Sequence, residues 1–228
     1  ITGFAREAAV RQAAFAGAAA QPPLHLVQRP LFNTREGYGS ALVTGVAELI
    51  VQQTLLMGIA VMAGTRRERR GQLFFSGTQL IGIASACLLI GFINMLYYAG
   101  FMFWYQDYPR GGNFPGMLVG GLLFVGAVVA LGMFIASFFR TRERAYQLIL
   151  VTSLPFFFLS NLSWPATSTP QWLLWLAKLL PSTPGINIMV KFNQLGASFA
   201  EAAWEMANLL VLIVVFGVLA WWRYRRPS

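Results

Sequence analysis

The chain has 228 residues, of which 57% are hydrophobic and only 11% charged, and its mean hydropathy is +0.58. That balance excludes an ordinary soluble domain and points to an integral membrane protein. The net charge of +9 would suit nucleic acid, but the arginines collect at the ends of apolar segments, as the positive-inside rule expects, so a nucleic-acid partner is set aside.

Residues 1–28 are alanine-rich, carry Arg6, Glu7 and Arg11, and run into Pro22-Pro23. They read as a short helix closing an extramembrane region, or as a disordered remnant. The chain opens at Ile1 without a methionine, signal peptide or first spanning helix, and is expected to be the C-terminal portion of a longer protein. Residues 29–40, RPLFNTREGYGS, are polar and turn-rich, with Tyr38 where an interfacial aromatic is expected. Residues 1–40 are therefore taken as the end of an extracytoplasmic region and 41–228 as a transmembrane domain.

Five apolar runs follow: 42–63, 79–103, 114–138, 146–159 continuing toward 162, and 204–222. A hydrocarbon core of ~30 Å needs ~20 helical residues, which four of the runs roughly meet. The fourth is short, and Pro155 is expected to interrupt it. The expected fold is an all-α integral membrane protein with about five spans.

Orientation follows from the loops. Arg66, Arg67, Arg69, Arg70, Arg140, Arg142, Arg144, Arg223, Arg225 and Arg226 put 10 basic residues on one side. The opposite loops carry Arg110, Lys178 and Lys191, with Arg6, Arg11, Arg29 and Arg35 ahead of the first run. The asymmetry places the first side, and the C-terminus, in the cytoplasm.

Between the fourth and last runs lies LSNLSWPATSTPQWLLWLAKLLPSTPGINIMVKFNQLGA, residues 159–197. Trp164-Pro165, Thr169-Pro170, Leu180-Pro181 and Thr183-Pro184 cut it into pieces too short to span, since each proline removes a donor and biases its predecessor away from the helix. The piece between Pro170 and Pro181, with Trp172, Leu173, Leu176 and Leu179 on one side and Lys178 free to reach water, fits a helix that dips into or lies on a membrane face. A proline-broken, re-entrant hairpin on the outer side is the expectation.

Chemistry is sparse. A phosphate-cradling loop needs G-x-x-x-x-G-K-[ST], but the only lysines follow Ala177 and Val190, so ATP, if it drives this chain, belongs to another subunit. The single Cys87 and single His25 offer neither a disulfide framework nor a metal cluster. Nucleophilic catalysis would need a base beside a serine, yet His25 lies outside the apolar runs and Pro181 separates Ser182 from Lys178. The chain is not expected to be an enzyme or to bind a cofactor.

Glu48, Gln52, Gln53 and Asn94 stand in apolar runs and are the candidate pathway residues. Glu48 is either a functional group at membrane depth or, the reading favoured by its place about three turns beyond Tyr38, a side chain that reaches the outer interface. Gln52 and Gln53 lie deeper, where interhelical hydrogen bonding is expected. Gly116-x-x-x-Gly120 and Gly82-x-x-x-Ala86 would let helices approach closely. Asn161-Leu162-Ser163 matches a glycosylation acceptor but stands close to the membrane. In TRRERRGQLFF, residues 65–75, four arginines surround Glu68 ahead of Gly71 and an apolar Leu73-Phe74-Phe75. A lipid anchor worth ~1 kcal/mol per basic residue would need neither the glutamate nor the polar return, which favours docking to a cytoplasmic partner.

These parts together resemble the permease subunit of an ABC-2 type exporter. The resemblance is carried by RPLFNTREGYGS, by QQTLLMGIAVMAG, by RRERRGQL, and above all by the 159–197 hairpin. It covers most of the chain from about Arg29 onward. It implies six spanning helices, the first preceding Ile1, and a dimer of permeases, homo- or heteromeric, served by ATP-binding subunits that hold ATP and Mg. It implies that Arg66, Arg67, Glu68, Arg69, Arg70, Gly71 and Leu73 form a coupling element. Trp164, Pro165, Pro170, Trp172, Pro181 and Pro184 would form the outer gate, and the runs starting at Leu42 and Tyr146 would line the route between two copies. The resemblance further implies a bacterial inner membrane and leaves room for a periplasmic adaptor. Aromatic residues Phe156, Phe157, Phe158 and Trp164 lean toward an amphiphilic, drug-like or lipid or glycan substrate. The rival readings are a non-transporting membrane scaffold and an accessory membrane enzyme.

Overall fold

The computed structural model describes residues 38–71, 75–108, 112–160 and 169–225, with side chains from residue 42 onward. Where no water reaches the backbone, a chain must close its hydrogen bonds locally, and every regular element among the described residues is a helix. The described residues belong to one compact unit.

The first helix, α1 (Tyr38–Arg70), has 33 residues and so runs about 50 Å. It stops at Gly71, whose φ of +68° is the left-handed conformation that ends helices and whose N–H returns to Arg67 O at 2.8 Å. The turn into α2 (Gly77–Met95) is set by a capping box in which Ser76 and Gln79 satisfy each other's backbone N–H. Beyond Met95 the same rod loosens into a π-helical stretch, Leu96–Met102, before a last turn at Phe103–Tyr105. Asn113 caps α3 (Phe114–Ala136), accepting from the Gly116 N–H, and Pro115 occupies the first turn, where its missing donor costs nothing. Thr141 caps α4 (Arg142–Leu159). Two short helices, α5 (Gln171–Lys178) and α6 (Ser182–Met189), the latter running into a π-helical turn at Val190–Gln194, precede α7 (Ala203–Arg225).

The core is built around α3, which packs on α1, α2, α6 and α7, while α4 lies on the other side of α1. Phe124, Val125, Ala127 and Val128 of α3 are fully buried. By contrast α2 shows Ile81, Leu89, Ile90 and Ile93 at its surface, and α7 shows Val211, Val214 and Val218, as a lipid-facing helix does. Lipid tails are as apolar as leucine, so cohesion rests on close packing. The Gly116/Gly120 pair provides it: a Cβ at either position would press on Phe192. Gly82 does not, since a Cβ there would meet nothing within 4 Å. Gly82-x-x-x-Ala86 thus forms no seam with the described helices of this chain.

Among the described residues four helices are long and apolar enough to cross a membrane, α1, α2 with its extension, α3 and α7, with a fifth span if the bent pair α5–α6 counts as one. The fourth apolar run differs from expectation in one way. It is continuous: the helix runs through Pro155, whose ring is exposed, and gives up only the one bond that a missing N–H removes. As expected it is short, with 18 residues, and Arg142, Glu143 and Arg144 stand in its first turn. The basic 66–70 segment likewise is no separate element: it is the continuation of α1 beyond its apolar stretch.

Candidate functional site

The arginine-rich ends of α1, α4 and α7 are gathered at one end of the bundle by specific contacts. Arg67 Nη1 donates to Ser137 O at 3.2 Å and Phe139 O at 3.4 Å, a cation set against the carbonyl end of α3. Glu68 Oε1 accepts the backbone N–H of Arg142 at 3.0 Å, an anion at the amide end of α4. Arg66 lies over the Phe75 ring at 4.1 Å, Phe75 meets Tyr224 edge-on at 5.3 Å, and the Tyr224 hydroxyl donates to Met133 O at 2.9 Å. Arg67 and Glu68 thus latch α1 to the turn between α3 and α4, and Arg69, Arg70 and Gly71 remain exposed beyond the latch. Leu73 lies outside the described residues. Why the latch is so tight is plain one turn earlier, at Gly64: a Cβ there would stand 2.8 Å from both Arg142 N and Thr141 C, so the two backbones are in contact.

A second feature runs along α1. Thr44, Glu48 and Gln52 recur every fourth residue, one helical face, and all three are at most 1% exposed. Glu48 therefore points into the bundle and does not reach the outer interface, because that face of α1 is covered by its neighbours. Its Oε2 has no hydrogen-bond partner, nor have the carboxamides of Gln52 and Gln53, so the interhelical bonds expected of the glutamines are not made in this conformation. Ser182 Oγ of α6 is buried and unpartnered too. Such groups cost about 1–3 kcal/mol each when left unmade, so the row is held by the surrounding packing. Asn94 does not join it: it is exposed on α2 and donates to its own helix at Ile90 O, 3.1 Å away.

The hairpin divides into an outer and an inner half. In α5, Trp172, Trp175, Leu176 and Leu179 are exposed, as for a helix lying on a membrane face, and Lys178 rests its ammonium 4.3 Å above the Trp175 ring. The chain then turns by 81°, and α6 enters the core, where Pro181 and Pro184 are buried. From there the hairpin is tied to the long helices by polar bonds, among them one from Asn113, the cap of α3, to Ala197 O at 2.5 Å. Thr183 donates to Leu159 O of α4, Asn193 to Ala99 O in the π-helical stretch, Gln194 to the Thr44 hydroxyl, and Lys191 to Glu205 of α7 at 2.7 Å. In the adjoining loop, the Ser198 backbone N–H and hydroxyl hold the Glu201 carboxyl below the usual carboxylate range. Of the expected gate residues, Pro170 and Trp172 are exposed, whereas Trp164 and Pro165 fall outside the described residues. Among the described residues no group of His, Cys, Asp and Glu is arranged to hold a metal.

The sequence has counterparts among known proteins. A family profile described as ABC-2 family transporter protein matches residues 6–222. The chain belongs to the ABC-2 transporter family. It is thus a multi-pass membrane protein of a transport family. It is also similar to ABC transporter G family member 20 of Dictyostelium discoideum, 31% identical over 104 residues. That match covers 43% of this chain but only 14% of the relative's length. Glu48 and Gln52 are among the residues singled out in the sequence, whereas Thr44 beside them and the Lys191–Glu205 pair are not.

Proposed function

We propose that this ABC-2 protein is the membrane-spanning part of an ATP-driven exporter that carries an amphiphilic substrate outward across a bacterial inner membrane, with ATP and Mg held by a separate ATP-binding subunit. The observation that carries the reading is the latch. An ATP-binding partner seated on the exposed Arg69–Arg70 end of α1 would push on a helix whose Arg67 and Glu68 grip the α3–α4 turn. Because α1 is a single rod of 33 residues, displacement at its basic end reaches the opposite end of the bundle.

The permease itself breaks no bond. It alternates between two arrangements that hold the substrate differently. In the arrangement described, the polar face of Glu48 and Gln52 is closed off without partners. Movement of α1 with α4 away from α6 would open that face, giving its carboxylate and carboxamides water or substrate to bond and offsetting the cost of exposing packed surface. A second permease copy is the natural cover for the apolar surface that α1 and α4 leave open, with Val43, Ile50 and Met62 on one and Tyr146, Leu150 and Leu154 on the other. A periplasmic adaptor would dock at the α5 end.

The test is transport in inside-out membrane vesicles carrying the full-length protein with its ATP-binding partner. A fluorescent amphiphile is expected to accumulate inside the vesicles only when ATP is added outside. ATP-independent equilibration, or no movement in the presence of steady hydrolysis, would overturn the reading in favour of a scaffold.

A further inference from the structure

Between α2 and α7, in the half of the bundle nearer the arginine-rich ends, a groove of about 310 Å³ opens over α3. Leu80, Ala84 and Leu88 of α2 follow one another a turn apart along one wall, and Ile213, Gly217 and Trp221 of α7 along the other, with the Gly126 face of α3 as the floor. The groove closes at depth where Leu88 and Ile213 lean over Gly126: a Cβ there would meet Ile213 Cδ1 at 3.2 Å and Leu88 Cδ1 at 3.9 Å. At the other end it closes on the Trp221 ring, which lies against Gly77 at the start of α2. From Ile213 to Trp221 the helix rises about 12 Å, which sets the groove's length.

Shape and charge together define what fits. Apart from the Ser85 hydroxyl and the Trp221 indole the lining carries no polar side chain, and the neighbouring Ile81, Val214 and Val218 are exposed, so the groove opens toward lipid. A helix is about 10–12 Å across with its side chains and would take up roughly three times the groove's volume over that length, so what enters is thinner, as an acyl chain is. The rim supplies a cation. Arg225 is exposed, holds its guanidinium 4.6 Å over the Trp221 ring and meets no carboxylate among the described ion pairs. The acidic side chains described at this end, Glu68 and Glu143, are both engaged by Arg142. We propose that the groove holds one acyl chain of an anionic phospholipid whose phosphate pairs with Arg225. Basic pockets between spanning helices suit such headgroups, and a guanidinium meets phosphate with charge-assisted hydrogen bonds. The lipid touches α2, α3 and α7 at once, so its chain fills the gap left where the two outer helices part over the central one. The site rests on this end of the bundle lying in a headgroup layer and does not depend on what the protein carries or in which direction.

Photo-crosslinking of the full-length protein tests this, in vesicles of equal phosphatidylethanolamine and phosphatidylglycerol with one lipid or the other carrying a diazirine in an acyl chain. Phosphatidylglycerol is expected to label α2 around Ala84 and α7 around Gly217 more strongly than phosphatidylethanolamine does. A Cβ at Gly217 would meet nothing within 4 Å, so Gly217→Leu fills the groove without pressing on the protein and is expected to remove most of that labelling. Gly82 is equally open but does not line the groove, so Gly82→Leu is expected to leave the labelling unchanged, which separates loss of the site from a folding defect. Arg225→Gln is expected to cut the preference for phosphatidylglycerol about fivefold, the weight of one basic residue beside anionic lipid. Equal labelling by the two lipids, an unchanged preference in Arg225→Gln, or full labelling in Gly217→Leu would overturn the proposal whatever the transport assay shows. So would labelling absent from both helices, the result expected if a protein segment or a second copy covers the groove.

Discussion

Replacing Gly64 with valine is expected to cut substrate moved per ATP hydrolysed by about tenfold or more, with the ATP-binding partner still bound. A side chain at this position would meet Arg142 N, Thr141 C and Arg142 Cα within 2.9 Å, and these are backbone atoms that cannot swing aside as a side chain can. The end of α1 must therefore separate from the start of α4. Separation stretches the Glu68 bond to the Arg142 N–H and disturbs the Thr141 cap, which accepts the Arg144 N–H at 3.3 Å. Overpacking of this kind costs about 1–3 kcal/mol, and each ~1.4 kcal/mol is tenfold in the population of the latched arrangement. The exposed Arg69–Arg70 end is untouched, so hydrolysis should continue. Vesicle transport and phosphate release measured on the same preparation would check this, and an unchanged ratio would mean that α1 and α4 need not be in contact for coupling.

The second large effect is expected at the hairpin's inner half. Gly185 of α6 sits against the ring of Phe124, which is fully buried in the central helix α3. A Cβ at residue 185 would overlap that ring, and the ring has no room to retreat. Gly185→Val should lower the thermal unfolding temperature of the detergent-solubilised protein and broaden its elution profile. Phe124→Ala alone should also destabilise, by about 3–5 kcal/mol, because it leaves a cavity where only close contact holds the helices together. Combining Gly185→Ala with Phe124→Leu should recover part of the loss. A Gly185→Val protein that unfolds at the same temperature as the unaltered chain would show that α6 is not wedged against α3.

What could be read from the residues follows from the same physics. The spanning helices were legible because their length and apolarity are dictated by the bilayer, and the hairpin because four prolines break an aromatic run. The S-x-x-Q box at Ser76 and the glycine at 71 likewise mark helix ends by local chemistry. The burial of Glu48 was not legible. Its helix is apolar on most sides, so periodicity does not reveal which face meets protein and which meets lipid. Gly64 looked like any small residue of a span, since contact with a backbone 77 positions on leaves no local trace, with Thr141 as its partner. Pro155 misled because one lost bond in the turn before it is not enough to end a helix that continues on both sides.

The central claim is that α1 and α4 move as one body when the partner subunit closes on ATP. Spin labels at Arg69 and Tyr146, both exposed, and in a second sample at Leu89 and Tyr146, would measure it directly in the reconstituted complex with and without a non-hydrolysable ATP analogue. The account predicts that the 69–146 distance holds constant while the 89–146 distance changes by several Å, on the scale of known helix shifts. A change confined to the 69–146 pair, with 89–146 fixed, would contradict it.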